Sequence, residues 1–65
     1  MAAPLEDVLG PELMKPQAKE AVLRRLRALP LPLSERRYLY GRWARMVGVD
    51  VAPEDLARVA LVIRM

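Results

Sequence analysis

Six prolines decide where this chain can be helical. Proline holds φ at about −65° and has no amide hydrogen, so it suits the first turn of a helix and breaks an interior. Pro4, Pro11 and Pro16 fall in the first quarter, Pro30 and Pro32 in the middle, and Pro53 near the end. The spacing predicts an irregular or short-helical segment over residues 1–15, then helices over about 17–29, 35–47 and 53–64. The expected fold class is all-α, a small three-helix bundle or array in one domain, 1–65.

Side-chain periodicity within these segments agrees. Leu5 to Leu9 reads as one turn ended by Gly10-Pro11, and Glu12 to Lys15 as another. In the first helix, Ala18, Val22, Leu26 and Leu29 recur at helical spacing. Glu20 and Arg24 are four apart with the acid first, the better order for a helix pair. The linker Pro30-Leu31-Pro32-Leu33 must be extended, because a residue before proline is pushed out of the α region. Leu31 and Leu33 are expected on the core. Ser34 is the expected N-cap of the second helix, with Leu33 and Tyr38 as a hydrophobic staple, and Gly48 its left-handed C-cap. The third helix starts at Pro53, with a weak cap at Ala52 and with Glu54 and Asp55 near its positive end. Leu56, Val59, Ala60 and Ile63 form its expected buried stripe.

The second helix carries the most information. Ser34 to Val49 holds all three aromatic residues and four of the eleven basic ones. At about 100° per residue, Leu39, Tyr40, Trp43, Ala44, Met46 and Val47 share a broad apolar arc. Arg36 lies inside that arc at the first turn, where it can snorkel outward. Tyr38, Arg42 and Arg45, at i, i+4 and i+7, form a ridge on the other side, with Arg37 and a dent at Gly41. Guanidinium groups bind phosphate or carboxylate bidentately, and a tyrosine ring can stack on a base. The bland alternative lays Tyr38 flat on a neighbouring helix and leaves the arginines in water. Trp43 is the expected centre of the core.

Charge is uneven within the net +3. Residues 17–49 hold eight basic side chains against Glu20 and Glu35, while both ends are net acidic. Such a field attracts nucleic acid or an acidic protein. Arg24, Arg25 and Arg27 are candidate helpers of the ridge. Leu61 and Met65 point off the third helix's stripe and form a candidate apolar interface, suited to a protein partner or self-association.

Other classes are excluded by what is missing. Without cysteine or histidine, no disulfide, no thiolate or imidazole metal site and no histidine base can form. Ser34 has no base in view, the adjacent pairs Glu6-Asp7 and Glu54-Asp55 diverge on a helix, and three scattered glycines make no phosphate loop. No enzyme, metal or cofactor is expected. The acidic start lacks a signal's basic n-region, and no apolar run nears the roughly 20 residues of a membrane span. A cytoplasmic protein is expected. The absence of Asn and Thr, with many prolines, fits a heat-tolerant protein and equally a GC-rich genome.

The segment Trp43 to Val49 resembles the first half of a helix-turn-helix, with a small residue, Ala44, four before the turn glycine Gly48 and an aliphatic, Val49, after it. The second half departs from that pattern. Its apolar positions would fall on Glu54 and Ala57, and Pro53-Glu54-Asp55 puts carboxylates where base-reading donors belong. The expectation is a small intracellular helical interaction module. It docks onto a larger macromolecule through the basic helix face or an exposed apolar patch. The alternative is a helix-turn-helix-like nucleic-acid-binding domain using Arg37, Tyr38, Arg42 and Arg45. A third reading, a structural assembly piece, predicts a stable oligomer.

Overall fold

The prolines open helical segments where the sequence places them. The structure, a computed structural model, describes residues 4–60. A one-turn helix α1 (Leu5–Leu9) is followed by two 3-10 turns, Pro11–Leu13 and Pro16–Ala18. Then come α2 (Lys19–Ala28), α3 (Leu33–Val47) and α4 (Pro53–Ala60). The second 3-10 turn runs straight into α2, so Pro16 opens that helix as expected. Gly10, at φ 94°, lets the chain leave α1 and turn into the first 3-10 segment. The α2, α3 and α4 helices pack pairwise on one another, and α1 lies across α2 and α3. The architecture is the all-α array with an irregular N-terminal part. Among the described residues no helix is long and apolar enough to cross a membrane.

The core is built around two stacked rings. Tyr40 and Trp43 are fully buried, with centroids 5.6 Å apart and planes 28° from parallel. Val22, Leu23 and Leu26 of α2, Ala44 of α3 and Val59 of α4 close around them. Leu23 was not part of the expected α2 stripe. It is buried because α2 is covered by α1 as well as by α3 and α4, so its apolar face must be broader than one seam. Leu5 and Leu9 cap the core from the N-terminal side. The Trp43 indole Nε1–H donates to the Leu13 carbonyl at 2.7 Å. One side chain thus fills the centre and ties the irregular segment to the helices.

The start of α3 differs from the sequence reading. Ser34 makes no cap bond and lies inside the helix. Pro32, extended at φ −62° and ψ 157°, is the capping position, and its carbonyl accepts the Arg36 amide at 3.1 Å. The helix begins directly after the last linker proline, because an extended proline already presents its carbonyl to the first turn. That shift dissolves the Leu33–Tyr38 staple, since both side chains are exposed. Leu31 is half-buried and Leu33 is not on the core. Arg36 does not snorkel to water. Its Nη2 donates at 3.3 Å to the Leu29 carbonyl, which also accepts the Leu31 amide at 2.8 Å, so the end of α2, the linker and the start of α3 are tied at one oxygen. At the other end, Gly48 is left-handed at φ 80° and ψ 31°, and the amides of Gly48 and Val49 both donate to the Ala44 carbonyl.

The buried face of α4 includes a carboxylate. Asp55 is 2% exposed, next to Val59 on the same stripe. Leu56 and Ala60 are half-buried, and Ile63 lies outside the described residues. Lys19 Nζ sits 3.2 Å from an Asp55 oxygen, and Arg58 is 4.0 Å away one turn on. A buried charge must be paired in this way or it destabilises the fold. Arg58 also grips Glu20 through two bonds, one of them 2.8 Å from Nη1 to Oε2, and this pair bridges α4 to α2. Glu20 is therefore committed to Arg58 and not to Arg24. Lys19, Asp55, Arg58 and Glu20 form one chain of charges along the α2–α4 seam.

Candidate functional site

The site residues follow from how α3 is seated. Packing between α2 and α4 centres its inner face on Tyr40, Trp43 and Ala44, with Leu39 and Val47 half-buried at the edges. This face is turned slightly toward Ala44 relative to the arc read from the sequence. Met46, placed in that arc, is instead 55% exposed. On the opposite side stand Arg37, Arg42 and Arg45, all exposed, with Tyr38 at 57% exposure. The Arg42 guanidinium lies over the Tyr38 ring, 5.8 Å from its centroid. That geometry attracts cation to ring face and holds both side chains outward. The ridge thus exists as a unit, and Tyr38 does not lie against a neighbouring helix.

The ridge borders an open groove of about 780 Å³. Gly41 forms part of its floor, and the other wall is the loop after α3, residues Val49, Asp50 and Val51. Gly48 creates that wall, since its left-handed turn folds the chain back beside the last turn of α3. Three guanidinium groups face one carboxylate, Asp50, in this lining. Met46 and Val51, both exposed, add apolar surface beside the charges. The combination of cations, an aromatic ring and aliphatic groups is suited to an amphipathic, acidic ligand surface.

Gly41 has no explanation among the described residues. It is helical, without a positive φ, and an added Cβ would meet no atom of the described residues within 4 Å. Glycine in a helix interior is less favourable than alanine by about 0.8–1 kcal/mol. Among the described residues no turn, clash or close helix contact accounts for that penalty.

The three arginines of α2 do not join this groove. Arg24 and Arg25 line a separate hollow with Asp7, Glu12 and Leu13, where two acids balance two bases. Arg27 is half-buried, and its Nε has no hydrogen-bond partner among the described residues. The α3 groove is therefore the cationic one. Leu61 and Met65 lie outside the described residues.

The groove's loop wall and Met46 were not among the sequence candidates. The signal was present in Gly48, since a left-handed cap sends the next residues back along the helix it ends. Met46 was obscured because neighbouring helices, not periodicity, decide which edge of an apolar arc stays uncovered.

Three groups behind the groove, Tyr40, Glu20 and Arg58, have shifted pKa values. The Tyr40 hydroxyl is buried beside Asp55 with no hydrogen bond of ordinary geometry among the described residues. Burial first, and then the Asp55 charge, push its pKa up to about 12. The bond from Arg58 holds the Glu20 carboxyl below its ordinary 4.5, and Glu20 in turn raises Arg58.

The helix-turn-helix resemblance can be tested on α4. The turn of five residues, 48–52, joins α3 to a helix whose exposed N-terminal end bears Glu54. Asp55 is buried and Arg58 is engaged by Glu20. The described part of α4 therefore offers no free cation to a phosphate and no base-reading donor. The chain matches no protein-family model, no curated protein and no solved structure.

Proposed function

We propose that this chain is a small helical interaction module that docks an acidic surface of a protein partner into the α3 groove. One observation carries the reading. The helix whose inner face is the core presents Arg37, Arg42 and Arg45 beside exposed Tyr38 and Met46, opposed by a single lining acid. Arginines without an ion pair among the described residues, next to exposed apolar groups, fit a protein surface that has both charge and apolar area. Arginine and tyrosine are also the residue types that dominate binding energy at interfaces.

A second reading, single-stranded nucleic acid, is favoured by the Arg42–Tyr38 pair, which offers a ring for base stacking and cations for phosphate. Fluorescence anisotropy separates the two with three probes, an acidic peptide, a single-stranded oligonucleotide and a duplex. The protein reading expects the peptide to bind and the Arg42→Ala/Arg45→Ala double variant to lose it. Oligonucleotide binding that falls steeply with salt supports the second reading, with a slope of about −2 for three phosphates on a single strand. Binding of any probe that ignores the double variant, or of none, overturns the groove as a docking site.

A further inference from the structure

We infer that the occupant of the α3 groove is an acidic amphipathic helix of a protein partner, crossing α3 over Gly41. This rests on the docking reading above and specifies what docks.

Gly41 supplies the crossing point. Among the described residues nothing requires a glycine there, and none of their atoms lies within 4 Å of an added Cβ. The distance between two packed helices is set by the side chains at their contact. A glycine on an outward ridge is the position at which a second helix can approach most closely. An extended strand has no sheet edge to join, because the described elements are all helical.

The charges bracket that point. Arg37 lies one turn before Gly41, and Arg42 and Arg45 lie after it. From Arg37 to Arg45 the helix rises about 12 Å, at 1.5 Å per residue, or two turns of a partner. Carboxylates spaced four and seven residues apart on the partner would meet these guanidinium groups bidentately. A small or aliphatic residue between them would sit on Gly41. Aliphatic side chains on one flank would cover Met46 and Val51, which are otherwise left in water.

The same lining argues for protein over nucleic acid. Asp50 would face phosphate, and Met46 and Val51 would gain no contact from a sugar-phosphate backbone.

The test is a selection followed by a variant series. A displayed library of 16- to 20-residue peptides is panned on the full chain, and one enriched peptide is synthesised as the probe. The inference expects enriched peptides that are acidic and carry aliphatic residues at helical spacing. It expects the probe to gain helicity on binding. Gly41→Leu should weaken the probe by about tenfold or more, as should Arg42→Ala/Arg45→Ala, while Arg24→Ala/Arg25→Ala changes affinity less than about twofold. Circular dichroism of each variant checks folding, and Gly41→Ala, a helix-favouring change with free space, gives a second reading at the same position.

A probe that is lost in the arginine double variant but indifferent to Gly41→Leu keeps the docking groove and rejects a helix over Gly41. A probe indifferent to both rejects the groove as well. Enriched peptides without helical spacing, or a library that yields no binder while an oligonucleotide binds, overturn the inference.

Discussion

Replacing Gly41 with alanine tests whether the fold itself has any use for that glycine. The position is the ninth of the 15 residues of α3, far from either cap. The new methyl would meet no atom of the described residues within 4 Å, so they impose no steric penalty. Its φ is already one that alanine adopts, since among the described residues only Gly10 and Gly48 have positive values. What remains is the helix preference of alanine over glycine, about 0.8–1 kcal/mol, largely a smaller loss of backbone freedom on folding. For a chain of this size, 1 kcal/mol corresponds to roughly 4–8 °C in Tm. Urea and thermal unfolding followed by circular dichroism should therefore show a stabilised protein with an unchanged urea slope. An unchanged or lowered Tm would refute the reasoning. It would mean that the fold uses the glycine, and that Gly41 gives no indication of an outside partner.

Other perturbations test the interior. Trp43→Phe removes the donor to the Leu13 carbonyl and part of the central volume. It should lower stability by about 2–3 kcal/mol and speed amide exchange in residues 11–18 more than in α3; uniform exchange would show that the indole does not anchor that segment. Tyr40 has its pKa raised, so its contribution is full below about pH 10 and is lost as pH rises toward about 12. Wild type should lose on the order of 2 kcal/mol across that window, and Tyr40→Phe should remove that part of the slope; identical alkaline profiles would contradict the assignment. Glu20 has its pKa depressed by Arg58, so its contribution is present above about pH 4.5 and fades as pH falls through its lower folded value. Glu20→Gln should flatten the acid limb slightly, as befits an exposed pair, and an unaltered limb would show that the pair adds nothing to stability.

Much of this structure was legible in the sequence because proline and glycine act locally. Pro16, Pro53 and Gly48 bound their helices where the sequence places them, and Trp43 is the buried centre. The ridge of Tyr38, Arg42 and Arg45 was also legible, since helical spacing alone sets residues four and seven apart on one side. What could not be read were contacts made between elements. Asp55 looked like an acid favoured only by the positive end of its helix. It is buried because Lys19, on another helix, reaches it. Glu20 looked like the partner of Arg24 and belongs to Arg58, 38 residues away. Ser34 lost the capping position to Pro32 because the linker's own geometry was already that of a cap. Met46 and the loop Val49–Val51 define the candidate groove jointly, and no single helix pattern contains both.

The central claim is that α3 keeps its tryptophan face inside and docks its arginine face outward. The most direct measurement is an amide-shift map of the isotopically labelled chain titrated with the selected acidic helical peptide. The account predicts changes concentrated at Tyr38, Gly41, Arg42 and Arg45, reaching Val51 across the groove, with the Trp43 indole signal unmoved. Changes centred on Arg24 and Arg25, or loss of the Trp43 indole signal, would contradict it.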